Sequence, residues 1–450
     1  MSDLVLNQLA SQLRTSTHTA QHWYLLNPTT KRVQCTLSPR ECKIPNGGLG
    51  FCGVRYNDNG ELRTLNYGKS VEITQETIET EGVFHAYPGN RILSLGNIGC
   101  MMHCDFCQNC STSHARLVAD SSIHEYTPEQ IVKTALDHNI NIISWTYNDP
   151  VVWQEFILET AKLAQQAGLK NLYKSALYIN PKPLEELFDV IDIFSISLKS
   201  MNDRFYQKYT KAHLKPVLDG IEAIYKAGKH LEVSNLVVTG RNDYLEETDK
   251  VAHWVKEYLS PEVPLHYVRF QPSYRYTQVK ETSKVFLEQA RQSALNIGIK
   301  HVYLGNLEET PYSHSYCQCG FTLVERYGLN TKVHININGH CPQCGIKAPI
   351  LLSQQKHTTI HIPNDYEEQI IPWTDSVATV RLEINSNDIF YYQFINKQQQ
   401  ASSPIHDIGI RRHVVSRFGK DNWGLRVWIA PTNQLTVTPI IARAHYPTET

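Results

Sequence analysis

The residues in this chain best suited to chemistry are its cysteines. All 11 fall into three local groups: Cys35, Cys42 and Cys52; Cys100, Cys104, Cys107 and Cys110; and Cys317, Cys319, Cys341 and Cys344. Structural disulfides usually staple distant segments of short secreted chains. Tight grouping in a chain of 450 residues points instead to ligation of metals or clusters. Inert buried thiols would be scattered. In the middle group Cys100, Cys104 and Cys107 share one short loop. Three thiolates so placed can hold three irons of a [4Fe–4S] cubane and leave the fourth iron open. An open position separates a reactive metal site from a closed structural one. Met101, Met102 and Phe106 would shield such a cluster and tune its potential.

A loop can present thiols in this way only if regular elements hold its ends. The stretch from Leu93 to Ile98 reads as a strand, and the cysteine loop follows it directly. Further strands are expected at 140–145, 171–175, 193–198, 231–238, 265–270 and 301–304, the first one covering 92–98. Helical patterns lie between them. Thr127-Pro-Glu-Gln130 reads as a capping box with proline at the first helical position. A helix from about 151 carries Phe156, Leu163 and Ala167 on one stripe and stops at Gly168. The segment 217–228 repeats the pattern with Val217, Ile221, Ile224 and Tyr225. Strands alternating with helices imply an α/β fold, a partial or nearly closed (β/α) barrel whose chemistry collects at the carboxyl ends of the strands. The expected division is an N-terminal cysteine-containing segment at 1–85, the barrel at 86–308, a four-cysteine ribbon at 309–352 and a small β-rich domain at 353–450.

The cysteine spacing resembles the radical S-adenosylmethionine (SAM) signature. The string Phe106-Cys107-Gln108-Asn109 resembles one branch, the radical SAM component of the AmmeMemoRadiSam system, akin to pyruvate formate-lyase activating enzyme. The likeness runs from about Trp23 to about Pro349. It includes Cys52-Gly-Val-Arg55, Tyr87-Pro-Gly, Thr146-Tyr-Asn-Asp-Pro150, Asn235-Leu-Val, Arg269-Phe and Gly305-Asn306. The resemblance implies a radical SAM barrel with a [4Fe–4S] cluster on Cys100, Cys104 and Cys107. SAM would chelate its open iron and be cleaved by one electron, giving a 5′-deoxyadenosyl radical that takes a hydrogen atom from substrate.

It also implies secondary sites at the strand ends. Tyr147, Asn148 and Asp149 follow the second strand, where related enzymes bind the SAM amino group; Asp149 is the expected acceptor, and a helix-capping role is compatible with that. Ser175 would reach the ribose, and Asn235 would line the cofactor site. Lys199 and Arg269 are the expected catalytic residues, Arg269 as a carboxylate partner and Lys199 against the alternative of a rim lysine. Ser197 stands where such families often carry Asp, a departure that weakens any ligand role for it.

In the third group, Cys317-Gln-Cys319-Gly and Cys341-Pro-Gln-Cys344-Gly make two knuckles around a possible hairpin. Four thiolates would close a tetrahedral zinc site, with rubredoxin-like iron and an auxiliary iron–sulfur cluster as the other readings. The first knuckle has a one-residue gap, so His314 or His340 could replace a cysteine. The first group is incomplete against the resembling family, which tends to show four cysteines here; Ser38 stands in place of one. It could hold a metal with an open site, borrow a ligand such as Cys110, or hold nothing.

Beyond about Ser353 the resemblance ends. A linker is expected at 354–363, a polar loop at 398–403, and strands at 377–382, 389–394 and 425–439. The aromatic residues Trp373, Phe390, Tyr391, Tyr392, Trp423 and Trp428 would pack a core or form a recognition surface. Charge is balanced at 43 basic and 44 acidic residues, which gives no basic footprint for nucleic acid. The amino terminus lacks a signal-peptide pattern and no run suits a bilayer span, so a cytoplasmic protein without membrane partners is expected. Its partners would be a small-molecule or protein substrate and a one-electron donor such as flavodoxin or ferredoxin. Two other readings are a glycyl-radical-enzyme activase acting on a partner protein, and an iron–sulfur binding or sensing protein without SAM turnover.

Overall fold

The computed structural model describes residues 6–307, 311–327, 330–353, 363–372, 379–384, 389–396, 405–408, 413–416 and 422–440. At its centre lies an eight-stranded sheet: β1 (Glu72–Thr77), β2 (Arg91–Gly96), β3 (Ile142–Thr146), β4 (Lys170–Ser175), β5 (Ile193–Ser197), β6 (His230–Val237), β7 (Leu265–Arg269) and β8 (Val302–Gly305). β2 to β8 are parallel neighbours in chain order, and β1 adds antiparallel to the outer edge of β2. The seven parallel strands match the sequence reading to within two residues; β1 was not foreseen. The crossovers carry helices α1 (Pro128–Asp137), α2 (Gln154–Gln166), α3 (Pro181–Phe188), α4 (Leu214–Lys226), α5 (Leu245–Trp254) and α6 (Lys284–Ile297). This is the curved β/α architecture expected of a partial barrel.

Local sequence explains the helix ends. Thr127 accepts from the Gln130 amide while the Gln130 side chain accepts from the Thr127 amide, completing the expected capping box of α1. α2 opens with a 3-10 turn, Pro150–Trp153, and gives way to Gly168 at φ +79°. Its buried stripe is Phe156, Ile157, Thr160, Ala161 and Ala164, whereas Leu163 is only half-buried and Ala167 is exposed. The expected stripe was therefore rotated from the true one. In α4, Val217, Ile221 and Ile224 are buried, but Tyr225 faces solvent.

The two faces of the sheet differ. Leu93, Trp145, Tyr173 and Phe194 join the main core with Trp153 and Phe156 of the second crossover. Burying side chains of this size stabilises by about 1.5–3 kcal/mol each. On the inner face, Ile92, Ile142, Leu172 and Ile193 form a separate apolar layer with Ile78, Val83 and Ala86 from the segment between β1 and β2, which closes the amino end. Above it comes a polar layer. Glu81 accepts from Ser144 at 2.9 Å and Thr146 at 2.7 Å, and its carbonyl accepts from Lys174 at 2.9 Å and Ser195 at 2.7 Å.

Among the described residues before 85, Val33, Leu37, Ile44, Val54 and Leu62 belong to the same apolar cluster as the barrel. Arg55 from this region forms a buried bidentate pair with Glu155 at the start of α2, at 2.7 and 2.8 Å. Near the other end of the chain, strands Glu367–Pro372, Asn422–Ile429, Ile389–Asn396 and Ile405–Ile408 form one antiparallel sheet, and His413–Ser416, Thr379–Ile384 and Leu435–Ile440 another. They share a cluster of Leu382, Phe390, Tyr392, Leu425, Val427 and Ile429, so Phe390 and Tyr392 are core residues. Trp373, nearly all of the expected linker at 354–363 and the polar loop at 398–403 lie outside the described residues, and the side chain of Trp423 is likewise not described. Among the described residues no helix is long and apolar enough to cross a membrane.

Candidate active site and metal centre

Two cysteine groups sit at opposite ends of the sheet. At the carboxyl end, Gly96-Asn97-Ile98 carries the chain out of β2 into the cysteine loop. Gly99 has φ +86°, and a Cβ there would lie 2.7 Å from the Cys52 carbonyl oxygen and 2.9 Å from the Val54 side chain. Only glycine allows that approach. Later loops pin the cysteine loop from above: the amides of His103 and Asp105 donate to the carbonyls of Thr210 (3.2 Å) and Tyr209 (2.9 Å), and Lys211 pairs with Asp105 at 3.2 Å. Met101, Met102 and Phe106 are buried, as expected of a shield. Phe106 packs near Phe205 and edge-on to Tyr276.

The Thr146–Pro150 loop after β3 interlocks with this one. Asn97 Nδ2 donates to the Asp149 carbonyl at 3.3 Å, Asn148 Nδ2 to the Asn97 carbonyl at 2.5 Å, and Asn109 Nδ2 to the Tyr147 carbonyl at 2.5 Å. Asp149 is buried. Its carboxylate accepts from Ser175 Oγ at 2.7 Å and from the Ala176 amide at 2.9 Å, and it caps the following turn through the Val151 amide at 3.3 Å. The cap and a binding role share one side chain. Burial raises the Asp149 carboxyl, against which those hydrogen bonds and the Lys199 charge work. Asn235 donates to the Leu198 carbonyl at 2.8 Å, and its Oδ1 is buried without a partner. Tyr147, at φ +63°, turns its hydroxyl to Thr74 and Glu76 of β1. Arg269 pairs with Glu281 at 2.6 Å and donates to the Thr282 carbonyl, so it stands in a structural bracket of its own loop. The geometry thus gathers Asp149 and Ser175 beside the cysteine loop, with Lys199 in electrostatic reach of Cys104, Cys107 and Asp149. Arg269, at the carboxyl end of β7, is engaged by Glu281 and the Thr282 carbonyl.

Burial pushes all three loop thiols up, Cys104 to about 12, so iron would displace their protons on binding. Among the described residues their sulfurs are not gathered within 4.8 Å of one another. That suits a cubane, in which each thiolate binds a different iron, better than a single ion. Asn97 Oδ1, like Asn235 Oδ1, is a buried acceptor without a partner, as expected beside a polar ligand. Cys110 opens the short helix Cys110–Ser113, is buried, and lies near Cys107. Sequence reading missed Asn97, Asn109 and the lumen pair of Glu81 and Lys174. Asn97, immediately after β2, was the legible one; the lumen pair needed the strand faces.

At the amino end, Cys317, Cys319, Cys341 and Cys344 have sulfurs all within 4.8 Å, with 3.5 Å from Cys317 to Cys344 and 3.7 Å from Cys319 to Cys341. Zinc–sulfur bonds of about 2.3 Å in a tetrahedron space sulfurs by about 3.8 Å, so the set fits one metal ion. Burial raises the Cys341 thiol, but hydrogen bonds from the Cys344 and Gln343 amides and from the Cys317 and Cys344 side chains together bring it to about 7. His314 is not needed as a ligand; its Nδ1 accepts from the Arg326 amide at 3.0 Å. The ribbon is fixed to the closing segment: Arg326 donates to the Phe84 carbonyl at 2.6 Å and to Ser315 Oγ at 2.9 Å, and the Tyr87 amide to the Leu351 carbonyl at 2.7 Å.

The family model described as the radical SAM superfamily matches residues 97–255. An uncharacterized protein of Methanocaldococcus jannaschii is 38% identical over 325 residues, which is 71% of this chain and 96% of that protein. A pyruvate formate-lyase-activating enzyme of Listeria monocytogenes is 21% identical over 187 residues, 40% of this chain and 75% of the enzyme. A solved domain of a pyruvate-formate lyase-activating enzyme from Bacteroides vulgatus superposes with a TM-score of 0.32 at 17% identity, over 36% of this chain and 98% of that domain. The chain belongs to the radical SAM superfamily.

Proposed function

We propose that this protein binds a [4Fe–4S] cluster through Cys100, Cys104 and Cys107 and uses it to cleave SAM reductively, taking a hydrogen atom from a substrate. The observation that carries the reading is the interlock of the cysteine loop with the Thr146–Pro150 loop at the carboxyl ends of adjacent parallel strands. When bound, cluster and SAM supply methionine and a 5′-deoxyadenosyl radical on receipt of one electron. The protein's part is to bind, orient and keep water out. Asp149, fixed by Ser175 and Ala176, would accept from the SAM ammonium group. Asn97 and Asn235 would offer their unpartnered carbonyl oxygens. Lys199 would balance negative charge beside Cys104. Met101, Met102 and Phe106 would exclude solvent. A flavodoxin- or ferredoxin-like donor would supply the electron. The ribbon would hold zinc as a brace, since it is anchored at the end of the sheet remote from the cysteine loop.

Similarity to pyruvate formate-lyase-activating enzymes favours a second reading, in which the hydrogen comes from a glycyl residue of a partner protein. The test is anaerobic. Protein reconstituted with iron and sulfide, reduced, and given SAM should form 5′-deoxyadenosine, and the Cys104→Ala variant should not. A fully reconstituted, reduced wild type that neither binds nor cleaves SAM would refute the proposal and favour a sensing role. Deuterium transfer into deoxyadenosine from candidate small molecules or from a glycyl-radical partner then separates the two substrate classes.

A further inference from the structure

We infer that Cys35, Cys42 and Cys52 hold a second iron–sulfur cluster of the cubane type, directly behind the loop of the first. Cys35 ends the strand Arg32–Cys35, and its amide donates to the Cys42 carbonyl at 3.0 Å, just before the strand Lys43–Ile44. Cys52 stands in the turn closed by the Gly53 amide on the Gly50 carbonyl at 2.9 Å. Three separate backbone segments thus bring three cysteines around one small cavity, which Arg40 and Met101 also line. Cys35 and Cys52 are buried and Cys42 half-buried, much as Cys100 is buried and Cys104 and Cys107 are half-buried. None of the three is in a disulfide.

The spacing of the sulfurs speaks against a single ion. The sulfurs of this group, like those of the Cys100 loop, are not gathered within 4.8 Å as the ribbon sulfurs are. A single ion would require that gathering, whereas a cubane spreads its ligands over three irons and leaves one iron free. Charge supports it. A cubane in its usual oxidised state with three thiolates carries a net negative charge. Arg40 is half-buried beside the cavity and among the described residues forms no carboxylate pair. Its guanidinium donates to the carbonyls of Met101 and Lys211 and lies 3.5 Å from the centroid of the Phe51 ring. The Cys52 carbonyl, meanwhile, rests against Gly99. Both contacts join this group to the loop of the first cluster. Binding would release three thiol protons as three iron–sulfur bonds form.

The inference does not depend on SAM turnover, and its readout is acid-labile sulfide. The full-length protein is reconstituted anaerobically with ferrous iron and sulfide, desalted and analysed, then reduced for EPR. The ribbon, a single-ion site, contributes no sulfide. Wild type should hold about eight sulfides per chain, and the Cys100→Ala/Cys104→Ala/Cys107→Ala and Cys35→Ala/Cys42→Ala/Cys52→Ala variants about four each. Only the signal kept by the second variant should respond to SAM. About four sulfides in wild type, none in the first variant with native circular dichroism, or a zinc ion on the N-terminal cysteines would overturn the inference. Should a triple variant fail to fold, Cys42→Ser replaces it. An oxygen ligand there should shift the SAM-insensitive EPR signal alone, and an unchanged spectrum would count against the second cluster.

Discussion

The ribbon and the strand-end loop both present cysteines, yet they are built in opposite ways. The ribbon gathers four sulfurs at single-ion spacing on two local knuckles, with Cys319 and Cys344 exposed. The loop holds three sulfurs apart, in a setting made by residues from five different strand ends. The first is a group of four neighbouring sulfurs on a ribbon that Arg326 braces at the amino end of the sheet. The second lies at the carboxyl end, where the strand ends also carry two buried acceptors without a partner, Asn97 Oδ1 and Asn235 Oδ1. A complete coordination sphere would have nothing left to offer a substrate, so on the proposed reading the ribbon stabilises and the loop reacts.

The sharpest way to break this contrast is to remove one ligand from each group. Cys104→Ala should lower deoxyadenosine formation by at least about 10³-fold, roughly 4 kcal/mol in barrier terms, while its melting temperature stays near that of wild type. Cys341→Ala should do the reverse. Zinc stoichiometry should drop by about one per chain and stability by several kcal/mol, with SAM cleavage per folded molecule retained. If Cys341→Ala instead abolished cleavage in folded protein, the ribbon would belong to the chemistry and the contrast would collapse.

Two buried ion networks sharpen the picture at each end. Arg55→Ala leaves Glu155 charged and alone in the core, and should cost about 3–5 kcal/mol by denaturant unfolding. The paired change Arg55→Met with Glu155→Leu should recover most of that loss. At the amino end, Glu232 accepts from the amides of Phe84 and His85 and from His230 (3.0 Å) and His266 (2.7 Å). Burial alone would raise its carboxyl, but the bonds from His230 and His266 hold it well below the usual range. A depressed carboxylate stabilises fully above its ordinary value of 4.5, and that contribution fades as pH falls through the folded-state value. Glu232→Gln should therefore cost about 2 kcal/mol near neutrality, with the gap to wild type narrowing below pH 4.5. A gap that stayed constant with pH would show that shape, and not charge, makes Glu232 useful.

Much of the barrel was legible in the chain. Parallel strands buried on both faces read as short β-branched runs, and capping chemistry such as Thr127 with Gln130 is local. The edge strand β1 was not legible, because Glu72–Thr77 is polar and takes its strand identity from pairing with β2. The stripe of α2 was misplaced because helix rotation is set by the sheet beneath it. Asp149 was found through its place after a strand, yet its bond to Ser175 joins residues 26 apart. Arg269 stands in a motif, and only the structure gives it an ion pair with Glu281 of its own loop.

The sequence by itself determined which residues could ligate metal, because cysteine grouping and spacing are local properties of the chain. It also determined the alternation of strand and helix, because periodicity and caps are local too. Only the tertiary structure decided which end of the sheet the ribbon occupies and how closely its four sulfurs stand. It alone laid Cys52 against Gly99. These are contacts between segments distant in the chain, fixed by how the apolar faces pack together, and no spacing along the sequence encodes them.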